Sequence, residues 1–264
     1  MSGVEFGLLL IGLFIMAILY SSVGHGGASG YLAIMSLTSV ATGAELMESA
    51  WLKQHAWFLN IIVASLAFYY YRKEGYHDLK LTIPFVIASI PMAFLGGFLL
   101  IDGSVYDLLL SITLVLAAWR LYGSMAFDED IKTTIPTFKQ AAPWGVGIGL
   151  VSGIVGVGGG IFLSPIVLLK KWATPKTVAA TSAIFIWVNS IAGLAGAGIS
   201  GQLNLDLEIL ASFAFVVLIG GFIGSFYGSK ISSQSTIQKL LVIVILVAAS
   251  KRILGLLILL ILLI

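Results

Sequence analysis

Two glycine-rich stretches interrupt the apolar sequence and hold the residues with the clearest chemistry. The first, "VGHGGASGYLAIM", contains Gly24, His25, Gly26, Gly27 and Ser29, and the second, "GIVGVGGGIFLSPIVLL", contains Gly156, Gly158, Gly159, Gly160 and Pro165. Consecutive glycines are poor helix formers, and proline lacks the N–H that would continue a helix. A helix that restarts there presents free N–H groups and the positive end of its dipole. The two stretches therefore predict a site for a small anion.

The glycines have two other interpretations. A dinucleotide fingerprint is excluded, because "GVGGGI" has Ile161 where a third glycine is required, and neither a preceding strand nor GK[ST] accompanies it. Close helix packing is the preferred interpretation for other well-spaced glycines, namely Gly149, Gly153, Gly220, Gly224 and Gly228. Broken backbone at membrane depth is tolerated only where it is buried in protein or lines a cavity, which favours a site at 156–160.

A polar segment, "ELMESAWLKQHAWFLN", follows the first stretch and is too polar for a lipid-facing helix. Lys53 and Asn60 share one face of such a helix and could meet an oxyanion, while Glu48 and His55 share another. Histidine titrates near neutral pH, so the second face could carry a proton. Lys53 could instead snorkel to the interface, and Glu48 could lie among the headgroups.

Further candidates are distributed over both halves of the chain. Ser182 and Asn189 lie seven residues apart on one helical face and could donate to an anion. His25, inside the first glycine stretch, is either a substrate and proton group or a structural histidine bonded to a freed carbonyl. Arg120 and Arg252 lie near the ends of apolar runs, and an interfacial role is preferred for them.

The composition defines the elements that must position these residues. Of 264 residues, 59% are hydrophobic and 10% charged, with a mean hydropathy of +1.07, which indicates an all-α, polytopic membrane protein in one transmembrane domain, 1–264. The first span lacks the pattern of a cleaved signal peptide and is expected to be retained. The predicted spans lie near 4–22, 46–71, 81–101, 105–127, 143–170, 174–199, 205–228 and 236–264.

The composition also limits cofactors and partners. Cysteine is absent, so disulfides and thiolate metal sites are excluded. The sequence implies no metal, no organic cofactor and no nucleic acid; the expected partners are the lipid bilayer, a small anionic substrate and protons. Apolar, glycine-spaced helix faces make a homodimer plausible.

The sequence contains an internal repeat. A shift of 132 places Gly24, Gly26 and Gly27 on Gly156, Gly158 and Gly159, and it also aligns "LVLAAWRLYG" (114–123) with "LVAASKRILG" (246–255). Asn60 aligns with Asn189 at a shift of 129. We therefore predict repeat one at 1–126, a polar linker at 127–141 and repeat two at 142–264.

Lysine and arginine occupy loops that alternate between the two repeats. The first-half loop with Arg72, Lys73 and Lys80 corresponds to residues 200–206, which contain no lysine or arginine. Conversely, Lys170 and Lys171 of the second half correspond to residues 38–45, which also contain none. Positive loops face the cytoplasm, so the repeats are expected to be inverted relative to each other, as in many secondary transporters. Inversion requires an odd number of crossings, which two shorter helices at each glycine stretch supply, 4–22 with 27–40 and 143–155 with 160–171. The expected total is eight to ten membrane segments.

An enzyme and a channel are the rival classes. The sequence has no HExxH, no GxSxG and no paired aspartates within helices, and Ser22 with His25 lacks an orienting third group. A channel lined by the glycine breaks is not separated from a carrier by sequence.

The glycine stretches, each followed by another helix, resemble those of the sulfite exporter family TauE/SafE, also called 4-toluene sulfonate uptake permeases. The resemblance covers essentially the whole chain, including its duplicated halves. It implies a multi-pass protein of the bacterial cytoplasmic (inner) membrane that transports sulfite, sulfoacetate or a related sulfur oxyanion. The expected function is proton-coupled export by alternating access, with an anion channel or a carrier of another small anion as the alternative.

Overall fold

The computed structural model describes residues 2–42, 49–99, 132–237, 239, 240 and 243. This part of the chain is helical and contains no strand. Its helices are α1 Gly3–Ser21, α2 Ala28–Thr42, α3 Ser49–Lys73, α4 Leu79–Phe98, α5 Phe138–Val155, α6 Gly160–Leu169, α7 Pro175–Ile199 and α8 Leu207–Phe226, followed by a π-helical turn, Tyr227–Ile231.

The all-α, polytopic prediction is confirmed for the described helices. Among them α1, α4, α7 and α8 with its π-helical turn are long and apolar enough to cross a membrane. The predicted span near 105–127 lies outside the described residues, and the span near 236–264 lies almost entirely outside them. Glu48, Arg120 and Arg252 also lie outside, so the pairing of Glu48 with His55 stays a prediction.

Local capping sets the helix starts. Asp78 accepts a hydrogen bond from the Lys80 N–H (2.8 Å) at the start of α4, and Asp206 accepts one from the Glu208 N–H (3.2 Å) at the start of α8. Helix α5 begins at Phe138, five residues before the predicted 143, so four residues of the predicted linker are helical.

The early start of α5 has a local cause. The Gln140 side chain accepts the Thr137 N–H at 2.9 Å and also the Thr137 hydroxyl at 3.1 Å, which satisfies a donor at the helix start. A polar linker and a helix start thus overlap in the sequence from 137 to 141.

Apolar side chains cover the outside of the helices, and polar side chains lie inside. Leu8 of α1 and Phe215 of α8 are exposed, while Lys53, Gln54 and Asn60 of α3 are buried. Large exposed apolar surfaces are costly in water and normal in lipid. The arrangement therefore fits a protein whose polar interior is enclosed by a membrane-facing surface.

Helices of each half of the chain pack on helices of the other half. Helix α1 of the first half packs on α8 of the second, and α5 of the second half packs on α4 of the first. Helices α3 and α7, each of 25 residues, pack against each other and also against α8 and α4 respectively. Each half is thus held by helices of the other half.

Glycines make these cross-half contacts close. A Cβ at Gly153 of α5 would collide with the backbone of Ala93 in α4, and a Cβ at Gly220 of α8 would lie 2.6 Å from the Phe14 carbonyl of α1. The packing interpretation is therefore confirmed for its predicted members, which have backbone or side-chain contacts of this kind, namely Gly149, Gly153, Gly220, Gly224 and Gly228. These faces are filled by contacts within the chain, and the homodimer stays a prediction.

Candidate functional site

The first glycine break separates α1 from α2 and is buried. Gly24 and Gly27 have φ of 76° and 100°, in the left-handed region that favours glycine. A Cβ at Gly24 would also collide with the Ala179 backbone of α7. The predicted break in the first half is confirmed, and it lies against the helix at the centre of the second half.

The second break separates α5, which ends at Val155, from α6, which begins at Gly160. Gly156, Gly158 and Gly159 have φ of 88°, 74° and 86°, so three of the four intervening residues are left-handed. The N-cap position of α6 is Gly159, which has no side chain to cap the helix, and the His25 ring lies beside Gly160. The first turn of this helix therefore offers N–H groups and a positive dipole end.

Asn60 of α3 lies between the two breaks. Its side-chain oxygen accepts the Ala28 N–H at 3.0 Å, and its amide donates to the Ser190 hydroxyl at 3.4 Å. A Cβ at Gly26 would collide with the Asn60 oxygen, and one at Gly158 would lie 2.7 Å from the Asn60 nitrogen. Asn60 thus caps the start of α2 and brings both breaks to one place.

His25 connects the first break to α6 and α7. Its Nδ1 lies 3.0 Å from the Val23 carbonyl, which can only accept, so Nδ1 carries a proton. The Ser164 hydroxyl of α6 lies 3.3 Å from Nε2, and the Ser182 hydroxyl of α7 lies 2.8 Å from Ser164. In neutral His25, Nε2 accepts from Ser164, which makes a chain of three exchangeable hydrogen-bonding groups.

Asn189, the repeat counterpart of Asn60, lies in a different environment. Its side chain is 0% exposed, and neither its oxygen nor its nitrogen has a hydrogen-bond partner among the described residues. The indole nitrogen of Trp57 is in the same condition, also at 0% exposure. Buried polar groups are rarely left unpaired in folded proteins, so both groups need an explanation.

Lys53 is the buried cation next to the second break. It is 6% exposed, its Cβ would lie 2.5 Å from a Cβ at Gly156, and its ammonium lies 5.6 Å from the centroid of the Trp57 ring. A largely buried cation that rests on a ring face among the described residues is suited to an incoming anion.

His55 lies elsewhere, at the start of α8. It stacks on Trp51 with ring centroids 3.7 Å apart, and its Nδ1 donates to the Trp51 carbonyl at 2.8 Å. Its Nε2 accepts the Asp206 N–H at 3.2 Å. In neutral His55, Nε2 therefore holds the N-cap residue of α8 while Nδ1 bonds within α3, and the structure does not place this ring with His25.

The predicted residues thus divide into those near the two breaks and those outside that region. Ser29 donates to the Tyr20 hydroxyl at 2.9 Å and belongs to the contact between α1 and α2. Sequence reasoning missed Ser164 and Trp57. The repeat alignment offered one signal, because Ser164 stands where the first half has Leu32.

Helices broken at glycines, a polar interior and an apolar surface define a polytopic helical membrane protein. The family described as sulfite exporter TauE/SafE matches residues 8–252. The chain belongs to the TauE/SafE sulfite exporter family and is a membrane transporter.

Its relatives support the same class. The chain is 34% identical over 246 residues to "Probable membrane transporter protein y4hK" of Sinorhizobium fredii, a match that covers 92% of this chain and 96% of the relative. It is 25% identical over 268 residues to "Probable membrane transporter protein YunE" of Bacillus subtilis, covering 91% and 94%. It is 29% identical over 198 residues to "Probable membrane transporter protein MJ0441" of Methanocaldococcus jannaschii, covering 71% and 70%. No solved structure matches the chain significantly.

Proposed function

We propose that the protein is a secondary transporter that moves a small sulfur oxyanion, sulfite or an organosulfonate such as sulfoacetate, across the bacterial cytoplasmic membrane. The proposed direction is export, and the proposed driving force is the proton gradient. No catalytic reaction is assigned to the protein. The observation that carries the proposal is the second glycine break, where α6 begins at a glycine N-cap without a capping side chain and Gly156 contacts the buried Lys53. Such a place is chemically suited to an anion.

The charge balance of this region fits transport rather than permanent binding. Lys53 supplies one positive charge, and the remaining donors are neutral backbone and side-chain groups. An anion held mainly by neutral donors is bound without a cluster of cations, and binding that is not too tight permits release on the other side.

Alternating access is proposed to arise from movement of one repeat against the other. The two repeats, taken as inverted, meet along α3 and α7, and the breaks lie on either side of Asn60. A shift between them would change the distance between His25 of the first break and Ser164 of α6. His25 is therefore the proposed proton-coupling group with the closest tie to the breaks, and His55 and Glu48 are further candidates.

Anion flux into proteoliposomes of the purified protein tests the proposal. Sulfite, sulfate, thiosulfate, sulfoacetate and taurine are offered with and without a pH gradient, and protein-free liposomes give the leak. Saturable movement of sulfite or sulfoacetate that responds to the gradient is expected. Linear flux that ignores the gradient would favour a channel, and absence of flux for every anion would overturn the proposal.

A further inference from the structure

We propose that Trp57 and Asn189 determine the specificity of the anion site, with the indole N–H and the side-chain amide N–H donating to the oxyanion beside Lys53. This inference rests on the proposed function and adds a residue, Trp57, whose type alone would place it in the apolar core. It explains why two buried polar side chains lack partners in the substrate-free protein.

The Trp57 indole is oriented by its contact with α7. A Cβ at Gly193 would lie 2.8 Å from both Cε2 and Cζ2 of the indole, so only glycine leaves room for the ring there. The nitrogen bonded to Cε2 is buried and has no partner among the described residues. Buried tryptophan N–H groups usually find an acceptor, so a missing acceptor points to a ligand that supplies one.

Asn189 lies on the same side of α7. It precedes Gly193 by four residues, which is one turn of the helix, and the two positions therefore share a face. Ser190, the next residue of α7, contacts the Gly158 position and accepts from Asn60. Ile186 of α7 also contacts the Gly158 and Gly160 positions. Residue 189 therefore lies along α7 between Ile186, beside the second break, and Gly193, beside Trp57.

The Lys53 ammonium lies beside the Trp57 ring. This electrostatic contact is weaker than a charge-assisted hydrogen bond to an oxyanion. An arriving anion would draw the ammonium from the ring face while the indole edge donates to the same anion. Trp57 would then hold the cation in the empty protein and bind the substrate in the loaded one.

The ligand class follows from the donors. The proposed donors are two neutral N–H groups and one ammonium on two helices, α3 and α7, and together they would require several acceptor oxygens on one small centre. A pyramidal or tetrahedral sulfur oxyanion supplies them, whereas a halide supplies no directed acceptors. Chloride is therefore expected to compete weakly.

The test uses two variants that separate binding from folding. Trp57→Phe keeps an aromatic ring for Lys53 and removes the indole N–H together with part of the ring volume, and Asn189→Leu removes both amide groups at similar volume. Neither change breaks a hydrogen bond of the substrate-free protein among the described residues. Trp144→Phe, at an exposed tryptophan, is the matched control.

Each full-length variant is measured in two ways. In proteoliposomes, the uptake of sulfite and sulfoacetate is measured as a function of concentration. In detergent, the thermal midpoint and the binding of sulfite, sulfoacetate and chloride are measured. For Trp57→Phe and Asn189→Leu we expect a half-saturating concentration raised about tenfold, as for one lost hydrogen bond to a charged group. We expect an unchanged maximal rate in both variants, an equal or higher thermal midpoint for Asn189→Leu and a lower one for Trp57→Phe, because the smaller ring leaves a cavity. The control should match the wild type.

The outcomes separate this inference from the proposed function. Wild-type uptake with unchanged half-saturation in both variants would overturn the role of Trp57 and Asn189 and leave the transporter intact. Lowered thermal midpoints with unchanged half-saturation would likewise show that both side chains only pack. Anion binding by the wild type that both variants lose, without uptake by any of them, would support the site and overturn the transporter. Neither binding nor uptake by the wild type would overturn both.

Discussion

The two glycine breaks are related in sequence but differ in how their polar groups are satisfied. At the first break Asn60 caps α2 through the Ala28 N–H, and both nitrogens of His25 have partners. At the second break the N-cap of α6 is a glycine without a capping side chain, and Asn189 has no partner among the described residues. The asparagine of the first half is thus hydrogen-bonded within the protein, whereas its counterpart in the second half is not.

The same contrast holds for the contacts beside the breaks. Gly24 packs against Ala179 of α7, and Gly156, its counterpart at a shift of 132, packs against Lys53 of α3. At the shift of 129 that pairs Asn60 with Asn189, Lys53 corresponds to Ser182. The two related glycines therefore contact an alanine in one case and a buried cation in the other, which places positive charge at the second break.

The largest effect is expected for Gly158→Leu. Gly158 has a φ of 74°, and a Cβ would lie 2.7 Å from the Asn60 amide and from Ile186 Cγ2, so a side chain is excluded by conformation and by space. We expect sulfite or sulfoacetate uptake to fall at least ~100-fold, with loss of about 3 kcal/mol or more of stability. Uptake and thermal unfolding measure the two effects.

Gly147→Leu is the matched control, because no atom lies within 4 Å of a Cβ at this glycine of α5. It should transport at close to the wild-type rate. An equal loss of uptake in both variants would mean that an added side chain anywhere in the second half impairs transport. It would contradict a specific role of the second break.

The next effect compares the two asparagines directly. Asn60→Leu removes an acceptor from the Ala28 N–H and a donor to Ser190, so we expect the free energy of unfolding to fall by about 1–3 kcal/mol. Asn189→Leu should leave it equal or raise it, because Asn189 makes no hydrogen bond with the described residues. Denaturant unfolding in one detergent measures the difference, and equal destabilisation of both variants would contradict the contrast between the breaks.

Sequence reasoning predicted the breaks because their signal is local. Runs of glycine inside apolar segments lower helix stability wherever they occur, and the structure places the ends at Ser21 and Val155. The pattern of polar residues on α3 is also local and indicates Lys53 and Asn60 as candidates to meet an anion, and both side chains are buried beside the breaks.

What sequence reasoning could not predict depends on distant contacts. His55 was a proton-transfer candidate by type, yet its ring bonds to the N-cap Asp206, 151 residues away, which no helical pattern encodes. Trp57 and Ser164 are residue types that usually pack in apolar helices, and only the partner or its absence distinguishes them. The different states of Asn60 and Asn189 likewise arise from tertiary packing, since the two residues align in the repeat.

A smaller effect separates the two buried lysines. Lys53→Met should raise the half-saturating anion concentration about tenfold, as for one lost charge-assisted hydrogen bond, with little change in stability. The ammonium of Lys176 instead donates to the Ser229 carbonyl at 2.9 Å and the Tyr76 hydroxyl at 3.3 Å, so Lys176→Met should lower the thermal midpoint and leave half-saturation unchanged. Concentration-dependent uptake and thermal unfolding of both variants test this, and a shared phenotype would remove the distinction between them.

The smallest effect concerns the loop between α3 and α4, where the first half has His77 and the second has Leu203 at a shift of 126. Burial, reinforced by the Arg72 guanidinium and opposed by the Asp78 carboxylate, holds the pKa of His77 below its ordinary value. The unfolded chain then binds a proton more readily, so the stability that neutral His77 contributes is present above pH of about 6.5 and is lost as the pH falls below it. His77→Leu should flatten the pH dependence of the thermal midpoint between about pH 5 and 7, the range just around the ordinary histidine pKa. An unchanged slope would show that His77 is equally protonated in both states, and a steeper one would show that its folded pKa is raised.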